Sequence, residues 1–214
     1  MQRLRITFTR GPQVKYISHL DITRMWERVF RRAGLPLAYS QGFSPHARIA
    51  IAAPLATAIT ADAELLDVEL DRRMDPEYAM QCVRQQLPLG FEVREVEEVP
   101  AQWRALQAAV RFSEYTATLA TDLPPAEVQK RLDALLRADS LPRQRMRDRE
   151  VRRYDLRPLI DRLWVQSHQA GQVVLGMRLQ TDEHATGRPD EVLAALDLAT
   201  APRQVNRTRL VLGV

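Results

Sequence analysis

The sequence predicts an α+β protein made of two tandem ferredoxin-like (βαββαβ) domains. The length of 214 residues suits two domains of about 100 residues each. Hydrophobic residues alternate with a period of two in some segments and recur every three to four residues in others, which indicates both strands and helices. The order of these segments is the same in both halves. We therefore place a first domain at residues 1–100, a linker at 101–109 and a second domain at 110–214.

The first half reads as strand, helix, strand, strand, helix and strand. Its first strand alternates, with Leu4, Ile6 and Phe8 on one face. Ser18 is predicted to cap the first helix, and Gly34 is predicted to end it. The predicted elements are the strand 3–10, the helix 18–34, the strands 47–53 and 63–71 paired as a hairpin, the helix 75–88 and the strand 91–99.

The second half repeats this order. Its first helix carries Val128, Leu132 and Leu135 along one face, and Pro189 suits the first turn of the second helix. The predicted elements are the strand 110–121, the helix 124–139, two β segments around 149–160 and 171–181, the helix 188–198 and the strand 204–214.

Composition excludes several classes of protein. Cys82 is the only cysteine, so the chain forms no internal disulfide and carries no cysteine motif for zinc or an iron–sulfur cluster. The four histidines are isolated from one another, and we assign no metal and no cofactor to this chain. No apolar run reaches the roughly 18 to 20 residues that span a bilayer, and the first residues alternate instead of forming a signal peptide. We therefore expect a cytoplasmic protein without a membrane partner.

The clearest functional signal is a cluster of arginines between residues 143 and 157. Of the 31 basic residues 29 are arginines, and the net charge is +4. Four arginines of the cluster alternate and would share one face of a strand, where they repel each other unless an anion lies between them. A solvated edge strand, with its own carboxylates as partners, is the alternative. The predicted RNA contacts are Arg143, Arg145, Arg147, Arg149, Arg152, Arg153 and Arg157.

A second candidate surface is the loop "SQGFSPH", residues 40–46, here called the Gly42 loop. Its hydroxyl and main-chain N–H groups could hold a ligand, and Tyr39 and Phe43 could stack on bases. It matches no phosphate-loop signature, and a plain turn is the alternative. The residues that we predict to contact RNA here are Ser40, Gln41, Gly42, Phe43, His46 and Arg48.

The motif "SHLD" gives the third candidate. Capping explains Ser18 and Asp21, because the acidic group suits the positive end of a helix. His19 is not explained by the cap. With Tyr16 and Lys15 it could form a metal-independent RNA-cleaving set of base, acid and electrostatic support. A histidine in the first helical turn that is hydrogen-bonded to the neighbouring hairpin is the structural alternative.

Three stretches together resemble a known family: residues 15–56, which hold "SHLD" and "SQGFSPH"; "AELLDVEL", residues 63–70; and "YDLRPLID", residues 154–161. They are similar to the radical-SAM-associated domain family of unknown function, found fused to the C-terminal end of cobalamin-binding radical SAM proteins or encoded as a separate chain. The family usually has Asn-Pro where this chain has Ser44 and Pro45. The resemblance implies a radical SAM protein as partner, and that partner would have to supply the cluster, since this chain has no Cys-x-x-x-Cys-x-x-Cys motif.

These observations favour an accessory RNA-binding protein that works with a radical SAM enzyme on tRNA or rRNA and has no catalytic activity of its own. Two alternatives stay open at this point. One is a metal-independent endoribonuclease that uses His19. The other is a protein–protein adaptor whose arginines meet an acidic partner.

Overall fold

The computed structural model describes residues 1–147, 150–169, 171–182, 184–198 and 202–213, apart from the side chains of residues 146 and 147. The chain divides into two compact units. Unit 1 comprises Met1–Val110 with the chain from Leu212 onward, and unit 2 comprises Arg111–Val211. Both units contain helices and antiparallel strand pairs, so the mixed α+β class is confirmed. None of the α-helices in the described ranges has both the length and the apolar composition needed to cross a membrane.

Unit 1 has an antiparallel sheet that is covered by helices. Its elements are β1 (Gln2–Arg10), α1 (His19–Arg32), β2 (Ile49–Ile51), β3 (Thr60–Leu70), α2 (Pro76–Arg84), β4 (Phe91–Val99) and α3 (Leu106–Ala109). The strand β1 pairs with β4 on one side and with β3 on the other, and β2 pairs with β3 as the predicted hairpin. The segment predicted as a linker, 101–109, contains α3.

The first helix forms where its capping signal predicts it. Ser18 Oγ accepts a hydrogen bond from the Asp21 N–H at 3.2 Å and donates to the Asp21 carboxylate at 2.7 Å. Trp26 and Phe30 lie on its buried stripe, and Trp26 meets Phe8 of β1 edge-on at a ring separation of 4.9 Å. The core of unit 1 therefore lies between the helices α1 and α2 and the sheet.

Buried arginines are part of the interior of unit 1. The Arg5 guanidinium donates to both carboxylate oxygens of Asp67, at 2.8 and 3.0 Å. Arg10 donates to four main-chain carbonyls, including those of Lys15 and Ile17, and its side chain is 2% exposed. These contacts fix the segment that leads into α1.

In its described residues, unit 2 contains four sheet strands and, separate from them, a two-stranded hairpin. Its elements are β5 (Val110–Ala120), α4 (Pro125–Arg137), β6 (Pro142–Arg147), β7 (Glu150–Asp155), β8 (Ile160–Gln169), β9 (Gln172–Gln180), α5 (Pro189–Leu196) and β10 (Gln204–Leu212). The strand order in the sheet is β10, β5, β9 and β8. Among the described residues the strands β6 and β7 pair with each other and with no other strand, and we call them the arginine hairpin.

The segment predicted at 171–181 is confirmed as β9, but the prediction of one β segment before it is wrong, because the described residues between α4 and β9 form three strands. The segment 149–160 was placed in the main sheet, whereas its strand β7 belongs to the arginine hairpin. The true sheet strand is β8. Its pairing with β9 shifts register between Ile160 and Arg162 and again between Val165 and Ser167, and these irregularities break the period-two pattern that reveals a strand.

Candidate functional site

Unit 2 contains an open cavity of about 490 Å³ between the arginine hairpin and the segment that joins β9 to α5. Its lining carries four arginines and two aspartates, so positive charge is in excess. We call it the basic cavity. It is lined by Arg145, Arg152, Arg153, Tyr154, Asp155, Leu159, Asp182, His184, Ala185, Thr186 and Arg188.

One cross-strand pair of the hairpin places two positive charges opposite each other. Arg145 lies directly opposite Arg152, and Arg143 lies directly opposite Tyr154. Cross-strand partners share one face, where like charges opposite each other are destabilising. In the described part of the chain, no ion pair joins Arg145 or Arg152 to a carboxylate. An anion bound between these guanidinium groups would relieve the repulsion.

The two aspartates of the cavity both accept hydrogen bonds from main-chain N–H groups. Asp155 Oδ1 accepts from the N–H groups of Leu141 and Arg157, at 2.7 and 2.9 Å. The Leu141 hydrogen bond, then that of Arg157, holds the pKa of Asp155 below its usual value. Asp155 therefore closes the base of the hairpin.

Asp182 organises the opposite wall. Its Oδ1 accepts from the N–H groups of His184 and Ala185, both at 2.8 Å, and Gln180 donates to Oδ2 at 2.6 Å. Burial opposes ionisation, yet these hydrogen bonds outweigh it, and the pKa of Asp182 lies below its usual value. This carboxylate fixes a turn that presents His184 to the cavity.

Glu191 lies in the first turn of α5, and its pKa is affected by burial and by the arginines of the hairpin. Burial raises its pKa, while the positive charges of Arg145 and Arg143 oppose that shift. Its Oε2 atom is buried and makes no hydrogen bond to the described residues. When ionised, Glu191 reduces the positive charge near the cavity.

The other arginines of the predicted cluster have different surroundings. Arg157 donates to the carbonyls of Leu136 and Ile160, at 3.0 and 2.9 Å, and so ties α4 to β8. Arg143 donates to the carbonyl of Pro142. Arg149 lies outside the described residues, and Arg147 is described only by its backbone in β6.

The Gly42 loop is closed by its own hydrogen bonds. The Ser40 N–H donates to the His46 carbonyl at 2.9 Å, and the His46 N–H donates to Ser40 Oγ at 3.0 Å. Gly42 has a φ of +126°, which favours glycine, and Phe43 next to it is fully exposed. The predicted contacts Gln41 and His46 are also exposed, whereas Arg48 pairs with Glu69 at 2.8 Å.

Of the predicted RNA-cleaving set, His19 lines a small space at the start of α1, and the other members do not line that space. His19 is exposed at the start of α1 and borders a space of about 10 Å³ with Arg10 and Glu64 among its neighbours. Tyr16, Lys15 and His46 are absent from the residues that line this space. The Lys15 Nζ atom instead lies over the Tyr16 ring, 5.2 Å from its centroid.

Sequence reasoning missed most residues of the basic cavity, among them Tyr154, His184 and Arg188. Tyr154 lies within the arginine cluster, but the cluster was identified from its charged residues and Tyr154 is uncharged. His184 and Arg188 lie more than thirty positions from Arg145 in the sequence, and no local signal connects them with the hairpin. Described residues contain no group of three or more His, Cys, Asp or Glu side chains placed to hold a metal ion.

Comparison with known proteins identifies the family. The model of the family described as "Uncharacterized protein conserved in bacteria (DUF2344)" matches residues 3–189, and the chain belongs to this family. A comparison with curated proteins found no match.

Among solved structures, similarity extends over 98% of this chain. The structure titled "Crystal Structure of a Cbf5-Nop10-Gar1 Complex" has a TM-score of 0.52 at 11% identity, with 48% of that chain covered. For "Crystal structure of the archaeal box H/ACA sRNP Nop10-Cbf5 complex" the TM-score is 0.49 at 10% identity, with 47% covered. The chain therefore spans about half the length of these chains, and the first likeness shows a shared fold alone.

Proposed function

We propose that this member of the family is an accessory RNA-binding protein and that its basic cavity holds phosphate groups of the RNA. The opposed pair Arg145 and Arg152 carries the proposal. Two arginines at directly opposite strand positions, with no ion pair to a carboxylate among the described residues, are stabilised by an anion. Guanidinium groups suit phosphate in particular, because their planar fork of donors matches two phosphate oxygens.

The surroundings of the pair favour a polyanion over a single small anion. Arg153 and Arg188 line the same cavity, and Arg143 shares the face of Arg145 beyond it. Positive charge therefore continues outside the space that one phosphate would fill. A chain of phosphates, as in RNA, can occupy successive positions along this surface.

Further parts of the proposal rest on the sequence and on strand order. We propose that both units are ferredoxin-like, since each has the element order strand, helix, strand, strand, helix, strand once the arginine hairpin and α3 are set aside. The strand order in unit 2, β10, β5, β9 and β8, fits this arrangement. We also propose a cytoplasmic radical SAM enzyme as partner, with tRNA or rRNA as the shared substrate.

The endoribonuclease alternative is not favoured. It needs an acid and a base that act on the same substrate, and the observation that favours RNA binding, the pair Arg145 and Arg152, gives no support to cleavage.

A salt series of RNA binding tests the proposal. We would measure fluorescence anisotropy of a short labelled RNA with the wild type, with R145A/R152A and with Arg137→Ala. Arg137 is the matched control, because it lies on α4 in the same unit and its side chain is 82% exposed. We expect affinity to fall steeply between about 50 and 200 mM salt, and R145A/R152A to bind at least about tenfold more weakly with a shallower salt slope.

Two outcomes would overturn the proposal. One is equal binding by the wild type and R145A/R152A. The other is displacement of the RNA by poly-L-glutamate at matched charge as readily as by unlabelled RNA, which would favour an acidic protein as partner.

A further inference from the structure

We infer that the basic cavity takes one unpaired nucleotide of single-stranded RNA, with the phosphate on the arginines and the base against Tyr154. This inference rests on the proposed function and specifies the form of RNA that the same site binds. Three features of the cavity carry it: its shape, the position of Tyr154 and the convergence of its cations.

The shape of the site suits a flexible ligand. A volume of about 490 Å³ lies in the range of pockets that enclose small organic molecules, and a nucleotide belongs to that size class. A duplex is a stiff rod that presents phosphates along its outer surface. It can lie across the mouth of such a recess, but its paired bases stay inside the stack.

Tyr154 provides a surface for a base beside the charges. It lies opposite Arg143 on the neighbouring strand and two residues from Arg152 on its own strand, so its side chain shares a face with Arg145 and Arg152. The side chain is half-buried and lines the cavity, with Leu159 as an apolar neighbour. Aromatic rings next to a positively charged surface are the usual way in which proteins bind single strands.

Three of the arginines come from separate segments and line the same recess, while Arg143 extends the positive surface beyond it. Arg145 lies on β6 and Arg152 lies on β7. Arg188 is the residue before α5 and lies on the opposite wall. Groups from three separate segments that face one recess can surround a single phosphate. The exposed His184 of the same wall adds donor and acceptor capacity for a base or a ribose.

Competition between two forms of one RNA tests the inference. The probes are a labelled single strand and a fully paired duplex of the same sequence, compared at equal phosphate concentration and equal salt. The proteins are the wild type, Tyr154→Ala, Tyr154→Phe and the control Tyr78→Ala, whose ring is exposed on α2 in unit 1.

We expect the single strand to bind the wild type at least about tenfold more tightly than the duplex. Tyr154→Ala should weaken single-strand binding about tenfold and leave duplex binding unchanged, because stacking is lost but no charge is removed. Its salt slope should stay that of the wild type, whereas Arg152→Ala should lower the slope by about one. Tyr154→Phe and Tyr78→Ala should bind within about twofold of the wild type.

The possible failures are distinguishable. If the duplex binds the wild type as tightly as the single strand, the unpaired nucleotide is refuted while RNA binding stands. Loss of duplex binding in Tyr154→Ala would also refute it, since the ring would then support the fold of the site. If neither form binds, the proposed function fails and this inference fails with it. The comparison on the wild type does not depend on whether a variant folds.

Discussion

The buried arginines of unit 1, Arg5 and Arg10, and the arginines of the basic cavity in unit 2 have opposite surroundings. Arg5 is 5% exposed and donates to both oxygens of Asp67, and Arg10 donates to four carbonyls of its own unit. Arg145 and Arg152 are exposed and lie opposite each other on two strands. One set has its donors satisfied by the fold, and the other has donors available to a ligand.

This difference explains why a high arginine content alone says little about function. Burial of a charged group is costly unless partners satisfy it, so removal of such an arginine or of its partner should cost stability. An exposed arginine beside another arginine adds no stability, so its removal should change ligand binding instead. Four substitutions test this division.

The largest effect is expected from Asp67→Ala in unit 1. The change leaves the buried guanidinium of Arg5 without its carboxylate, which should lower the free energy of unfolding by about 3–5 kcal/mol. Urea unfolding followed by tryptophan fluorescence measures it. The control is Glu69→Ala, which breaks the more exposed pair with Arg48 and should cost no more than about 1 kcal/mol. Equal losses in the two variants would contradict the distinction.

Asp155→Ala should weaken RNA binding several-fold although it removes a negative charge. Without Asp155 the N–H groups of Leu141 and Arg157 lose their acceptor, and the arginine hairpin is no longer fixed over the cavity. Net charge alone predicts that the variant binds RNA more tightly. Tighter binding in the anisotropy titration would therefore show that the position of the hairpin set by Asp155 is unimportant.

The lowered pKa of Asp155 predicts how the role of its carboxylate depends on pH. Because this pKa is lowered in the folded state, the contribution of the carboxylate is complete above the unfolded value, near 3.8, and is lost as pH falls through the folded pKa. Protection of the Leu141 amide from hydrogen exchange, measured by NMR, should therefore decrease in strong acid. Unchanged protection there would contradict the assigned role.

Glu191→Gln should strengthen RNA binding about twofold to fivefold, because it removes a negative charge near Arg145 and Arg143. The pKa of Glu191 is raised in the folded state, so ionisation lowers stability as pH rises from the unfolded pKa through the folded one. The wild type and the variant should therefore have similar stability in acid, with the variant more stable at neutral pH. Weaker binding by the variant would show that the carboxyl group helps to hold the ligand.

The smallest effect is expected from Arg145→Gln on stability. Removing one of two opposed charges should leave the free energy of unfolding unchanged or raise it by up to about 1 kcal/mol at low salt. Thermal unfolding at two salt concentrations measures the change. A loss greater than about 1 kcal/mol would place Arg145 with the structural arginines of unit 1.

Local signals were enough to predict α1 and its cap, because Ser18 and the apolar stripe with Trp26 lie within a few residues of one another. Alternation also predicted β1. It did not reveal that Arg5, on the other face from Ile6, is buried as well, since burial there depends on Asp67 in β3. The arginine hairpin and the bulged strand β8 were confused for the same reason: strand pairing is decided by contacts distant in sequence.

The candidate site was partly predictable in the same sense. Alternating charge identified Arg145 and its neighbours. Tyr154 and Arg188 line one cavity because the segment before α5 lies next to the hairpin. No pattern within either segment contains that information.

Photochemical cross-linking compares the two candidate surfaces most directly. RNA containing 4-thiouridine would be bound to the wild type, irradiated and digested, and the modified residues identified by mass spectrometry. We predict cross-links at Tyr154 and within residues 184–188, with loss of both signals in R145A/R152A. Cross-links confined to the Gly42 loop, or unaffected by the arginine substitutions, would contradict the assignment of RNA binding to the basic cavity.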